Sequence, residues 1–237
     1  AYKNVAMDTG CIPQLSAFSA STEEKRAIIN ERVSMHGFQR GNIIGADGRS
    51  IFDGNDYSDR EYVKQAMQGN VYVSEPLISK ITGELSIMVA APIYTGGTRN
   101  GQITGVVYFV PPETFLNDIV SSIKVSEHCQ AYMINKSGDT IADVTLDTIT
   151  TQNIEREAQS DKSLKGLAAI HEKMRQGQNG FGSFRSSDGH RFAAYAPVGG
   201  TDGWSLAVTA LKTDYLSDTY LGMIINVAVI VASMLAS

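Results

Sequence analysis

The chain has 237 residues, of which 43% are hydrophobic and 19% charged, with a formal net charge of −5. That length and apolar content support one or two domains with substantial cores. A mildly acidic chain without a run of Lys and Arg excludes nucleic acid as a partner, because such binding needs clustered cations against the phosphates.

Residues 1–37 read as helical. In STEEKRAIINERV, Ser21 or Thr22 stands at an N-cap with Glu24 near the third helical position, the pattern of a capping box, and Gly37 ends the run. The period then changes. GNIIGADGRSIF reads as a β-hairpin about Asp47-Gly48, residues 59–68 as a helix, and VYVSEPLIS with ELSIMVAAPIY as a second hairpin turning at Thr82-Gly83. Gly96-Gly97 leads into the strand QITGVVYFV.

The second half runs through the same order. AYMINKSGDTIAD is a strand pair around Ser137-Gly138, a helix is expected over roughly 161–176, and FGSFRSSDGHRFAAYAPV is a hairpin about Asp188-Gly189. Gly199-Gly200 then leads into GWSLAVTAL. Ala91-Pro92-Ile93 in the first copy matches Ala196-Pro197-Val198 in the second, each shortly before a Gly-Gly. Two copies of strand pair, helix and three strands form an internal repeat with a period too long for a solenoid. Hairpins make each sheet antiparallel.

From Tyr220 to Ser237 the chain reads YLGMIINVAVIVASMLAS, without a charge. That is near the lower limit for a bilayer span. Leu221, Met223, Ile224, Ile225, Val227, Val229, Ile230 and Val231 leave no polar face, so the stretch is expected to begin a transmembrane helix rather than an amphipathic one. No signal peptide opens the chain, and a trimmed N-terminus is expected.

No catalytic arrangement stands out: GxSxG, HExxH, P-loop and GxGxxG are all missing. His36, His128, His171 and His190 are scattered and read as surface or loop residues without metal spacing. Cys11 and Cys129 are far apart; a disulfide is open, and two separate thiols are the expectation. Trp204 reads as a core anchor. No cofactor, metal or catalytic residue is expected.

Arg60 opens the helix at 59–68, where a cation is the less favoured charge against the helix dipole. It is either a solvated charge or a hook for an anion. SDREYVKQAMQG, EPLISKITGELSIMVAAPIY, GVVYFVPPETFLNDI and AYMINKSGDTIAD together resemble the double Cache (dCache) sensor domains of bacterial transmembrane receptors, and are most similar to methyl-accepting chemotaxis receptors of Clostridia-like bacteria. The resemblance covers about residue 20 to the end. It implies an α+β fold: a long N-terminal helix, two stacked PAS-like antiparallel-sheet modules, and a C-terminal helix leading into the membrane. The expected divisions are 1–37 for the N-terminal helical region, 38–123 for a membrane-distal ligand-binding module, 124–211 for a membrane-proximal module, and 212–237 for the helix entering the membrane.

In amino-acid-binding members of that family, an Arg-x-Trp-Tyr pattern at the start of the distal helix holds the ligand carboxylate, and two aspartates hold its ammonium. Here the pattern is Arg60, Glu61, Tyr62, Val63, and the aspartate positions fall on Ser79 and Val110. An ammonium buried without a carboxylate is costly, by several kcal/mol. The resemblance therefore implies a pocket of Arg60, Tyr62, Glu75, Leu77, Ser79, Tyr108 and Val110 that rejects amines and takes a small carboxylate or a planar carbonyl-bearing ring such as a pyrimidine. By period two, Val73, Glu75, Leu77 and Ser79 share one strand face. Leu77 reads equally as core, and Glu75 is the residue that could replace a lost acid. In the proximal module Phe181, Arg191 and Tyr195, beside Phe184, suggest a small-anion site for a species such as acetate.

The resemblance also implies a homodimer in the full receptor, a small-molecule metabolite as partner, anchoring through flanking transmembrane helices, and a sensor on the extracytoplasmic face of the cell membrane. An input domain of a histidine kinase or second-messenger enzyme, a surface interaction domain without a small ligand, and an extracytoplasmic hydrolase remain alternatives.

Overall fold

The computed structural model describes residues 1–112 and 114–215. The expected membrane-entering helix lies almost wholly outside the described residues. Among those described, no helix is long and apolar enough to cross a membrane. The chain divides into two compact units, one of residues 1–115 and one from residue 116 onward. Each is helix against antiparallel sheet, the mixed architecture that the repeat predicted.

The helical region before residue 38 is three helices. They are α1 (Tyr2–Gly10), α2 (Pro13–Ser16) and α3 (Thr22–His36). Pro13 starts α2 because its missing N–H is no loss in a first turn. The chain is extended at Ala17 and Ser21, which separates α2 from α3. The capping box is present: the Glu24 N–H donates to Ser21 Oγ at 3.2 Å, and the Ser21 N–H donates to the Glu24 carboxylate at 2.7 Å. Gly37 closes α3 in the left-handed region at φ 69°.

In the first unit, β1 (Arg40–Gly45) is followed by α4 (Glu61–Met67), β2 (Tyr72–Val73), β3 (Leu77–Ile78), β4 (Leu85–Ser86), β5 (Val89–Tyr94) and β6 (Ile103–Val110). The main sheet has the order β1-β6-β5-β2, and β3 with β4 forms a separate ribbon. Two hairpin expectations change. After the Asp47-Gly48 turn, only an isolated Ile44–Ser50 bridge forms, and β1 pairs instead with β6, more than fifty residues on. The run VYVSEPLIS is also not one strand: β2 ends at Val73 and β3 starts at Leu77, with Pro76 between them unable to donate to a ladder.

Both faces of this sheet are covered, so β6 is buried continuously from Gly105 to Val110. Val106, Tyr108 and Val110 face the α4 side with Tyr62, Val63 and Ala66. On the other side Phe109 stacks on Phe38, ring centroids 4.6 Å apart, and Tyr2 packs on Phe38 at 4.7 Å. The end of α1 presses against β5. A Cβ built on Gly10 would lie 2.0 Å from the Pro92 carbonyl oxygen, so only glycine fits there.

The second unit contains most of α5 (Phe115–Ser122), then β7 (Gln130–Ile134), β8 (Thr140–Ala142), α6 (Ile154–Glu157), α7 (Lys165–Arg175), β9 (Gly180–Ser186), β10 (Gly189–Pro197) and β11 (Ser205–Leu211). Its sheet order is β8-β7-β11-β10-β9. The stretch β7-β11-β10-β9 repeats β1-β6-β5-β2 of the first unit, and α7 takes the place of α4. The expected Asp188-Gly189 hairpin forms, with Ser186 opposite Gly189. Ile134, Ile170, Met174, Phe184, Ala193, Tyr195 and Ala207 make the core beneath α7. Trp204 is buried at the start of β11. Cys11 and Cys129 are free thiols.

Candidate functional site

In the first unit the site residues converge where α4 packs against β5 and β6. The Tyr62 and Tyr108 rings meet edge to face at 5.2 Å, and both are almost fully buried. Burial raises both phenols well above their ordinary value, so each hydroxyl is neutral at any physiological pH. Val110 belongs to the same apolar cluster and Leu77 packs against it. Arg60 is the N-cap residue of α4 but makes no side-chain cap; its Nη2 donates to the Ile78 carbonyl at 3.2 Å. Ser79 is buried just after β3. Glu75 is half-buried in the link between β2 and β3. The break at Pro76 therefore removes the shared strand face expected for residues 73–79, and the two ends of the segment belong to different sheets.

Five residues that sequence reasoning missed complete this region: Arg40, Asn42, Ser50, Asp53 and Tyr57. Arg40 opens β1 directly across from Val110, and its Nη2 donates to Ser79 Oγ at 2.8 Å. Its Nε is buried and meets no acceptor. Asn42, buried, lies across from Tyr108; its Nδ2 donates to the Tyr108 hydroxyl at 3.3 Å and to Asp53 Oδ2 at 3.0 Å. Its Oδ1 accepts from the Ile43 N–H and from Ser50 Oγ, each at 2.8 Å. The Tyr57 hydroxyl donates to the same Asp53 oxygen at 3.0 Å. Alternation of Arg40 and Asn42 with Ile44 is the sequence signal that marks one face of β1. Nothing local says which strand it faces.

Ser79 Oγ also accepts from the Ile81 N–H at 3.1 Å and the Thr82 N–H at 3.3 Å. With Arg40 it meets three donors, which leaves no lone pair for an ammonium. Arg40 and Arg60 bring two guanidinium groups to the segment 78–79.

In the second unit the predicted residues separate. Arg191, Ala193 and Tyr195 alternate inward along β10, while Phe181 points outward on β9 and packs on Phe192 with ring centroids 5.3 Å apart. Phe181 is 66% exposed. Arg191 is buried and bidentate on Asp188, with Nε to Oδ1 at 3.1 Å and Nη2 to Oδ2 at 2.5 Å. Its Nη1 donates to the His128 carbonyl at 3.0 Å and to Thr209 Oγ1 at 3.3 Å. That pairing, aided by a hydrogen bond from Ser186, holds the Asp188 carboxyl well below the usual carboxylate range.

His171 differs from its expected surface position. It lies on the buried face of α7, its Nε2 2.8 Å from the Tyr132 hydroxyl, and burial pushes its imidazole down to about 4. Among the described residues no three His, Cys, Asp or Glu side chains come together to hold a metal ion.

The repeated helix-on-antiparallel-sheet arrangement is that of a tandem Cache-type domain. The chain belongs to the Cache domain family, whose dCache_1 model matches residues 4–219. Among curated proteins none matches it. Its fold is similar to the extracellular domain of the histidine kinase candidate mmHK1S-Z2, with TM-score 0.66, 18% identity, and coverage of 91% of this chain and 90% of that one. It is also similar to the ligand-binding domain of the Campylobacter jejuni chemoreceptor Tlp3 in complex with L-valine, with TM-score 0.61, 12% identity, and 89% and 82% of the two chains covered. The ligand-binding domain of the Pseudomonas fluorescens chemoreceptor CtaA in complex with L-leucine gives TM-score 0.60 at 15% identity over 89% and 84% of the chains.

Proposed function

We propose that this chain is the extracytoplasmic sensor of a transmembrane chemotaxis receptor, and that its first unit binds a small metabolite without an ammonium group. A short carboxylate and a pyrimidine-type ring are the two chemistries that fit. The division into a ligand-binding module over 38–123, a second module over 124–211 and a membrane-entering helix over 212–237 belongs to this reading, as does a homodimer in the full receptor.

The observation that carries it is the Arg40–Ser79 bond at 2.8 Å. Arg40 stands against both positions, Ser79 and Val110, where amino-acid-binding relatives resembled by the sequence would need carboxylates. A guanidinium there repels an ammonium and attracts a carboxylate or carbonyl oxygen. Its buried Nε has no acceptor of its own, and a ligand oxygen in that place would relieve an unpaired donor. Tyr62 and Tyr108 supply flat apolar walls for a ring. Signalling would be a shift between two arrangements, set by the ligand's differential affinity for them.

The test is a thermal-shift panel of amino acids, amines, short carboxylates, purines and pyrimidines, since a ligand that binds only the folded state raises its melting temperature. A shift by a carboxylate or pyrimidine, lost in Arg60→Ala, supports the reading. An α-amino acid that binds wild type but not Glu75→Gln would instead assign the ammonium to Glu75 and favour the alternative of a histidine-kinase input domain with an amino-acid ligand. No shift with any compound favours a surface interaction domain.

A further inference from the structure

We propose that the second unit carries a ligand site of its own, and that this site takes a small primary amine. The proposal does not depend on how the first unit is read.

The site is a cavity of about 350 Å³, at the small end of ligand pockets. Its apolar wall is Tyr132, Leu167 and Phe184, and its polar wall includes Asp143, Gln152 and His171. The charges of this wall can be assigned one by one. Arg191 reaches the cavity, but its guanidinium is neutralised by the bidentate Asp188. Burial keeps His171 uncharged at neutral pH, so it supplies no cation. The Tyr132 phenol is raised by burial and by the Asp143 charge, and stays neutral.

What remains is Asp143. Its carboxylate accepts the Thr145 N–H at 2.8 Å, and among the described residues no Lys, Arg or His pairs with it. The cavity thus presents one uncompensated carboxylate. An anion there would meet repulsion and no free cation. An ammonium would gain a charge-assisted bond to Asp143, with the Gln152 side-chain oxygen as a second acceptor on the same wall. The Tyr132 and Phe184 faces suit the carbon chain of an amine and attract its cationic head. The same chemistry disfavours acetate, the ligand that Arg191 alone would have suggested.

Isothermal titration calorimetry of the full chain with ethanolamine, putrescine and tyramine tests this. At least one of the three is expected to bind, with an affinity that falls about tenfold to a hundredfold in D143N, the range for a lost hydrogen bond to a charged group. The D143N amide oxygen can still accept the Thr145 N–H, so folding is expected to survive. A second variant, Gln152→Leu, is expected to weaken binding by a smaller factor. Acetate is expected not to compete with the amine.

The absence of heat from all three amines would overturn the proposal, and so would equal affinity in wild type and D143N, or competition by acetate. Binding that survives D143N but is lost in Glu75→Gln would place the amine in the first unit. That outcome would overturn both this site and the exclusion of amines there.

Discussion

Arg40 and Ser79, 39 positions apart, are joined by a 2.8 Å hydrogen bond from the guanidinium to the hydroxyl. The bond ties the first strand of the sheet to the small ribbon beside α4, and under the proposed reading it puts a cation at the position where an amino-acid-binding pocket would need an acid. Removing the cation in Arg40→Ala is expected to weaken the first unit's ligand about tenfold to a hundredfold, as loss of a charge-assisted bond does. Titration of whichever carboxylate or pyrimidine stabilises wild type measures it, and unchanged affinity would sink the role given to Arg40.

The same pair yields a sharper result when its charge is rebuilt. Ser79→Asp alone is expected to form an ion pair with Arg40 and to bind no amino acid. The double variant Arg40→Ala with Ser79→Asp frees the new carboxylate, and amino-acid binding is expected to appear in the first unit. Binding by the single variant, or none by the double, would count against this account of the pocket.

Asn42 is expected to matter for stability. Buried at 3% exposure, it bonds Asp53, Tyr108, Ser50 and the Ile43 N–H. Asn42→Leu would strand several buried groups at once and is expected to cost about 2–4 kcal/mol. Tyr108→Phe removes only the longest of these bonds, and about 1 kcal/mol is expected. Urea denaturation of the three proteins gives the comparison, and equal losses would refute the ordering.

His171 should make the second unit sensitive to acid. Burial lowers its folded value from the ordinary 6.5 to about 4. Between those values the unfolded chain binds a proton that the folded chain refuses. Stability therefore falls as pH drops below about 6.5, and the loss is complete below about 4, amounting to about 3 kcal/mol at 1.36 kcal/mol per unit. The stability difference between wild type and His171→Gln is expected to shrink by that amount from pH 7 to pH 4. A difference independent of pH would show that His171 is not the group responsible.

Gly10 tests the packing of α1. With the Pro92 carbonyl oxygen 2.0 Å from where a Cβ would sit, Gly10→Ala must push α1 off β5, at about 1–3 kcal/mol. A melting temperature unchanged by that substitution would mean the helix and strand can separate freely.

Much of this protein is legible from local pattern. The capping box at Ser21 and Glu24, the turn at Asp188-Gly189 and the doubled order of strand pair, helix and three strands all follow from the short-range preferences of a few residues. Arg60, Tyr62, Tyr108, Ser79 and Val110 enter the candidate site through the resemblance, which attaches them to motif positions within short segments.

Arg40, Asn42 and Asp53 were not reachable in that way. Their meaning depends on which strand β1 pairs with, and β1 had a nearer candidate just past Asp47-Gly48. The strand choice belongs to burial: beside β6, β1 buries Asn42, Ile43 and Ile44, which pairing with the polar stretch after Ser50 cannot offer. In the second unit, period two alone puts Arg191 and Tyr195 on one face, but only the register of β9 against β10 turns Phe181 away from them. Whether Arg191 is free or neutralised by Asp188, and whether His171 is exposed or buried against Tyr132, were likewise decided by packing. Element type and repeat come from interactions between near neighbours, which the sequence carries by itself. The charge and accessibility of a site residue come from partners brought in from far along the chain, and only the folded arrangement sets those.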